Sequence, residues 1–215
     1  MKSSVALCAL WVCLSTAHGK KPNVLFIVCD DLNTHLGSSG YPYTQTPNLN
    51  KLASQSLTFD RAYCQYPVCG PSRASFLSGL YPESTGVLSN TVDIRKTRPN
   101  SPSMPAFFKK HGYWTGGVGK IYHNTKTDPG EIAWHKNLRF ENDELPVVTE
   151  ARKKFEAGRG SVDERKNKKA WKALRIKVGG PLTSQTPPGH GPSGLKDDQH
   201  KDGKNARQVI EWLDQ

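Results

Sequence analysis

Several things are scarce in this 215-residue chain, and each scarcity removes a class. No Asn-x-Ser/Thr tripeptide occurs, so N-glycosylation is not signalled. No internal repeat occurs, which excludes solenoids and propellers. The apolar run from Val5 to Leu14 is too short to span a bilayer, and no later segment approaches that length. Acidic charge is thin: 19 Asp+Glu face 30 Lys+Arg, for a net charge of +11. Such an excess attracts anionic partners, whether sulfated sugars, nucleic acid or membrane surfaces, and does not choose among them. Cysteine is sparse at five residues.

What is present begins with a secretory signal peptide over residues 1–19. Lys2 gives the positive start, Val5 to Leu14 the apolar middle, and Ala17-His18-Gly19 the small residues that a signal peptidase reads. The alternatives are a membrane anchor or a buried helix. Without this segment Cys29, Cys64 and Cys69 remain, an odd count that leaves at least one thiol unpaired or modified. The remaining length suffices for one domain with a useful core.

The organisation reads as α/β, a mainly parallel sheet flanked by helices. Asn23 to Cys29 is a continuous, β-branched-rich apolar run, the pattern of a strand buried on both faces, with Cys29 as a small buried hydrophobe. Thr46-Pro47 opens a helix, Thr46 as its N-cap. Leu57 to Tyr63 alternates like a second short strand, and a helix is expected from Pro71 to Leu80. Another runs from Pro105 to Lys110, ended by Gly112 in a left-handed conformation. Tyr113 to Val118 is the next strand. The ordered core is expected over about 20–125. Beyond it, residues 151–177 hold 11 Lys/Arg against 3 Asp/Glu, and 178–204 are rich in Gly, Pro, Ser and Asp. Residues from about 145 to 203 therefore read as an irregular basic and polar insertion. A last helix is expected over 204–214, with Ala206, Val209, Ile210 and Leu213 at helical spacing.

Three constellations carry chemistry. Asp30-Asp31 follows the first expected strand, at the sheet edge where α/β proteins bind ligands. Two adjacent carboxylates repel unless a cation neutralises them, and hard oxygens suit Ca²⁺ or Mg²⁺. The alternative is an ordinary Asp turn. Cys69-Gly70-Pro71-Ser72-Arg73 places a thiol just before a helix-starting proline, with Arg73 one turn further on. A helix N-terminus there would favour an anion. Gly119-Lys120-Ile121-Tyr122-His123 follows the Tyr113–Val118 strand. Lys120 offers a compact charge and His123 a proton that moves near neutral pH. Read alone, each of these has a bland alternative: a structural thiol or a disulfide partner for Cys64, an arginine paired to a surface carboxylate, solvated loop residues. The basic tract 151–177 reads as a solvated, mobile segment, with sulfated polysaccharide binding as the other reading.

Together these motifs resemble the sulfatase family, within the alkaline-phosphatase superfamily. Cys-x-Pro-Ser-Arg, continued here by Ala74-Ser75-Phe76-Leu77-Ser78-Gly79, is the family's modification signature. Lys21-Pro22-Asn23-Val24 before Asp30-Asp31, the Asn33 loop and the Gly-Lys-x-x-His spacing are most similar to the iduronate-2-sulfatase-like branch. The likeness covers roughly residues 20–125 and, more weakly, 196–214.

The resemblance implies that Cys69 becomes formylglycine through a formylglycine-generating enzyme. One hydroxyl of the hydrated aldehyde attacks sulfur and expels the alcohol. Loss of the other hydroxyl's proton then ejects sulfate, a release that a plain serine or cysteine lacks. It implies Asp30, Asp31 and residue 69 as ligands of Ca²⁺, with Mg²⁺ the lesser candidate. Arg73 would stabilise the hydrate, Lys120 would contact the sulfate, and His123 would polarise the non-attacking hydroxyl. The implied activity is sulfuric ester hydrolysis on glycosaminoglycan-type sugars, in the lysosome or the extracellular space. Nucleic acid and a membrane span are not implied. Family members are longer and carry a second metal pair, a further His and a further Lys, for which the residues up to Gln215 offer no match. The expectation is a fragment with little turnover of its own; the alternative is a secreted protein that binds anionic glycans without catalysis. A phosphate-ester hydrolase of the same superfamily would carry Ser or Thr in place of Cys69.

Overall fold

Pro and Gly set the helix boundaries. In the computed structural model, which describes residues 21–180 and 192–215, α1 spans Pro47–Ser54 and α2 Cys69–Ser78. Pro82–Thr85 and Ile94–Thr97 form the single-turn helices α3 and α4, and α5 spans Met104–Lys110. Strands β1, Gly116–Val118, and β2, Lys136–Leu138, pair in parallel, Gly117 opposite Asn137. Then follow α6, Pro146–Arg159, α7, Lys168–Gly179, and α8, Lys201–Leu213. The chain divides into two compact units, Met1–Asp60 and Arg61–Gln215. The expected signal peptide at 1–19 lies outside the described residues.

The class is α/β with a parallel sheet, as the sequence implied, and the proline and glycine signals for α1 and α5 held. Pro47 opens α1 after Thr46, although the Thr46 hydroxyl donates to Asn50 Oδ1 at 3.0 Å rather than capping the backbone. The α5 terminus is a Schellman turn built on Gly112, φ 79°. Gly112 N–H donates to Lys109 O at 3.0 Å and Tyr113 N–H to Phe108 O at 3.1 Å. The Phe108 and Tyr113 rings meet edge-on at 4.9 Å and seal it.

Two expected strands are corrected. Residues 23–29 adopt no strand, and Val24, Leu25, Phe26, Ile27 and Val28 are exposed. Cys29, expected to be buried, is exposed as well. The stretch from Leu57 to Tyr63 is likewise exposed and without a ladder. An apolar run becomes a buried strand only when neighbours satisfy its N–H and C=O groups. Among the described residues the only ladder joins β1 to β2. Leu57 and Tyr63 straddle the unit boundary.

The segment read as irregular holds two helices instead. α6 and α7 bury Val148, Phe155, Val162 and Trp171 against one another, flanked by Ala151, Leu174 and Val178. The Phe155 and Trp171 rings lie 5.6 Å apart. Asn167 closes the hairpin, its Nδ2 donating to Arg159 O and Ser161 O at 2.9 Å each. Trp171, Leu174 and Val178 recur at helical spacing, a stripe that the density of charge obscured. α8 begins three residues earlier than expected. It leaves Ile210 and Leu213 exposed and meets Trp114 through Trp212, ring centres 5.2 Å apart.

Candidate active site

Cys69 is the first residue of α2. Val68 before it is extended, φ −138°, and Gly79 ends the helix in the left-handed region, φ 71°. The helix thus starts at the thiol, two residues ahead of the expected Pro71. Its first donors are largely committed: Gly70 N–H donates to Asn90 Oδ1 at 2.7 Å, Pro71 has no N–H, and Ser72 N–H bonds to Val68 O at 3.0 Å. Gly70 also lies against backbone, since a Cβ there would come within 3.1 Å of Asn90 Cα and 3.3 Å of Ser89 O. Asn90 belongs to no motif, and nothing in its Ser-Asn-Thr context marks it.

One turn on, Arg73 is buried, with 5% of its surface exposed. Its Nη1 donates to the carbonyls of Lys120 and, at 2.9 Å, Ile121. The guanidinium therefore joins the signature helix to the Gly-Lys loop, across more than 40 residues of sequence. Leu77, one further turn along, packs with Tyr122, Ala133 and Trp134. A helix whose Arg73 and Leu77 grip one loop fixes that loop relative to Cys69, itself half-buried. β1 delivers the loop: Gly119, φ 81°, turns the chain after Val118 and donates to Leu138 O at 2.9 Å. Lys120 is exposed, and His123 is half-buried with its Nδ1 shielded from solvent.

Below the loop a carboxylate organises the packing. Asp128 accepts from Trp134 Nε1 at 3.0 Å, Asn137 Nδ2 at 2.6 Å and Gly130 N–H at 2.9 Å. Arg95, whose guanidinium holds the Asp93 carboxyl below its ordinary value, donates to the carbonyls of Lys126 and Asp128. Burial pushes the Tyr122 phenol up to about 12 from its ordinary 10.0, against a smaller opposing pull from the Ser103 hydroxyl. The unfolded chain loses this proton first, so stability is full below pH 10 and falls as pH rises from about 10 to 12, by ~1.4 kcal/mol per pH unit. Urea midpoints measured across that window should show the fall. Tyr122→Phe should remove it, and an unchanged pH profile in that variant would refute the assignment.

Asp30 and Asp31 lie in the first unit, in a turn. Asp31 has φ 56°, the only non-glycine positive φ among the described residues, and Asp is one of the few residues that tolerates it. Their donor chemistry suits a hard cation. Two carboxylates supply only part of a Ca²⁺ shell of about six to eight oxygens. Among the described residues no three His, Cys, Asp or Glu side chains converge.

Signature helix, loop and carboxylate pair are what a comparison with known proteins can weigh. Residues 22–141, more than half of the chain, match the sulfatase family model. This chain belongs to the sulfatase family. A sulfatase of Formosa agariphila is 41% identical over 115 residues, covering 50% of this chain and 23% of that protein. Human iduronate 2-sulfatase is 40% identical over 116 residues, 52% of this chain and 21% of that protein. Choline-sulfatase of Rhizobium meliloti is 35% identical over 103 residues, 47% and 20%. This sulfatase chain therefore spans about a fifth of the length of the curated relatives it matches. Cys69, Arg73, Lys120 and His123 all fall inside the matched region, as do Asp30 and Asp31.

Proposed function

We propose that the protein hydrolyses sulfate esters, with residue 69 as a formylglycine nucleophile and sulfated glycosaminoglycan-type sugars as substrate. The observation that carries this reading is the junction of α2 with the Gly-Lys loop: Arg73 binds the Lys120 and Ile121 carbonyls from the same helix that begins at Cys69. The junction sets the Lys120 and His123 backbone in one place relative to residue 69. Lys120 supplies positive charge for a sulfate oxygen, and His123 moves a proton between a hydroxyl of residue 69 and solvent. Asp30 and Asp31 would hold Ca²⁺, or less suitably Mg²⁺, whose charge when bound favours an anionic ester. The iduronate 2-sulfatase likeness supports a uronic-acid-bearing glycan. The apolar N-terminal run supports entry into the secretory pathway, toward a lysosomal or extracellular location, and no helix among the described residues is long and apolar enough to cross a membrane.

The test pairs 4-methylumbelliferyl sulfate with the corresponding phosphate, using protein secreted from cells that contain the formylglycine-generating enzyme. Little turnover is expected of this chain, and the expected result is trace release from the sulfate alone, lost on chelation and restored by Ca²⁺. A second reading, a glycan-binding protein without turnover, draws on the net charge of +11, which attracts anionic polymers. Sulfate-ester binding with no product release would establish that second reading. Cleavage of the phosphate in preference to the sulfate would overturn both.

A further inference from the structure

The basic tract is largely helical, and part of its charge is laid out along α7. α7 carries Lys168, Lys169, Lys172, Arg175 and Lys177 and no Asp or Glu. Lys168, Lys172 and Arg175 are spaced to share one face, with Lys169 beside them and Arg165 one turn ahead, all exposed. The other face, Trp171, Leu174 and Val178, is sealed against α6. At about 1.5 Å per residue, the row from Lys168 to Arg175 runs ~10 Å along a rigid axis.

Arg165, Lys168, Lys169 and Lys172 meet no counter-charge among the described residues of the hairpin. Three nearby acids pair with other cations: Glu144 with Arg152 at 2.6 Å, Glu150 with Lys154 at 3.5 Å and Glu164 with Lys166 at 3.0 Å. Glu156 accepts from Val162 N–H at 3.0 Å. Among the described residues Arg165, Lys168, Lys169 and Lys172 form no ion pair with a carboxylate. Lys168 and Lys169 also occupy the first turn of α7, the positive end of its dipole, with no acidic residue there. Like charges at this spacing repel, so the arrangement opposes its own helix until an anion neutralises it.

We propose that this face of α7 docks an extended sulfated polysaccharide, holding the polymer on the protein apart from the catalytic centre. The choice of a glycan rests on the sulfatase reading above. It rests also on what the face lacks: the only aromatic residue of α7, Trp171, lies on the sealed face, so no platform is offered on which bases could stack. A row of Lys and Arg reads linear charge, which a repeating sulfate ester supplies.

The experiment uses the full chain and heparin as probe, with affinity measured at several NaCl concentrations. The triple variant Lys168→Gln, Lys169→Gln, Lys172→Gln should bind about tenfold or more weakly near physiological salt. Its log–log salt slope should fall by roughly two to three counterions. The Lys→Arg triple should retain binding, and hyaluronan, which carries carboxylates but no sulfate, should bind more weakly than heparin. Gln is a good helix former, and circular dichroism checks that α7 persists. Should the Gln triple unfold, Arg165→Gln with Lys172→Gln tests the same face. Variants that bind heparin like wild type overturn the proposal, as does duplex DNA that competes as well as heparin. The sulfatase reading fails separately: it is lost if residue 69 stays a thiol, whatever heparin does, whereas the docking face is lost if the triple keeps its affinity, whatever residue 69 has become.

Discussion

Replacing Arg73 with alanine is expected to destabilise the second unit by about 3 kcal/mol, since two hydrogen bonds from a buried charged donor are lost and a cavity is left beside the loop. In a protein of this size that lowers the thermal midpoint by ~6–12 °C. The loss should be local before it is global. Arg73 binds the carbonyls of Lys120 and Ile121, and Tyr122 follows them directly. The Tyr122 phenol is held at about 12 only because the loop keeps it buried. In the variant its titration should move down toward 10, while the α6–α7 hairpin, which Arg73 does not touch, keeps its Trp171 environment. Arg73→Lys should recover part of the stability, because a compact ammonium reaches one carbonyl more readily than two. An alanine variant that melts with wild type and leaves the Tyr122 titration in place would show that the guanidinium does not organise the loop.

That contact also marks what the sequence could and could not show. The existence of α2 was legible from Pro71, but both its ends were misplaced by two residues, since the helix begins at Cys69 and stops at Ser78 before the left-handed Gly79. Lys120 and His123 were singled out by a spacing that a family shares, and both lie in the loop whose carbonyls Arg73 binds. The sequence reading aimed Arg73 at residue 69. The structure shows its Nη1 on carbonyls 47 and 48 residues away, a pairing with backbone that no side-chain pattern announces. Asn90 escaped notice for the same reason, since its partner is the Gly70 amide. The run from Asn23 to Cys29 has strand composition, yet a strand is a property of a sheet and needs neighbours that a local pattern does not supply. α6 and α7 show the reverse error. There, charge density was weighed ahead of a stripe whose Trp171 and Phe155 suffice to hold two helices together.

Replacing Cys69 with serine is expected to abolish steady-state turnover, by a factor of about 10³ or more, while leaving the fold intact. Cys69 is half-buried and Ser is smaller and equally able to start a helix, so melting should move little. What changes is the exit route. A formylglycine hydrate bears two hydroxyls on one carbon, and after one has carried sulfate away from its alcohol, the second expels it as the aldehyde re-forms. Serine bears one hydroxyl, so a sulfated serine has no internal way to release its sulfate. Secreted wild-type protein should therefore yield a residue-69 peptide that carries an aldehyde and reacts with a hydrazide probe. The Cys69→Ser protein should yield none, and after exposure to 4-methylumbelliferyl sulfate any label it acquires should stay on Ser at position 69 as a stable ester. Because the aldehyde readout needs only the signature and its modifying enzyme, it decides the role of residue 69 even where turnover is slow. An unmodified thiol in the secreted wild type, or undiminished catalysis by the serine variant, would remove residue 69 from the chemistry.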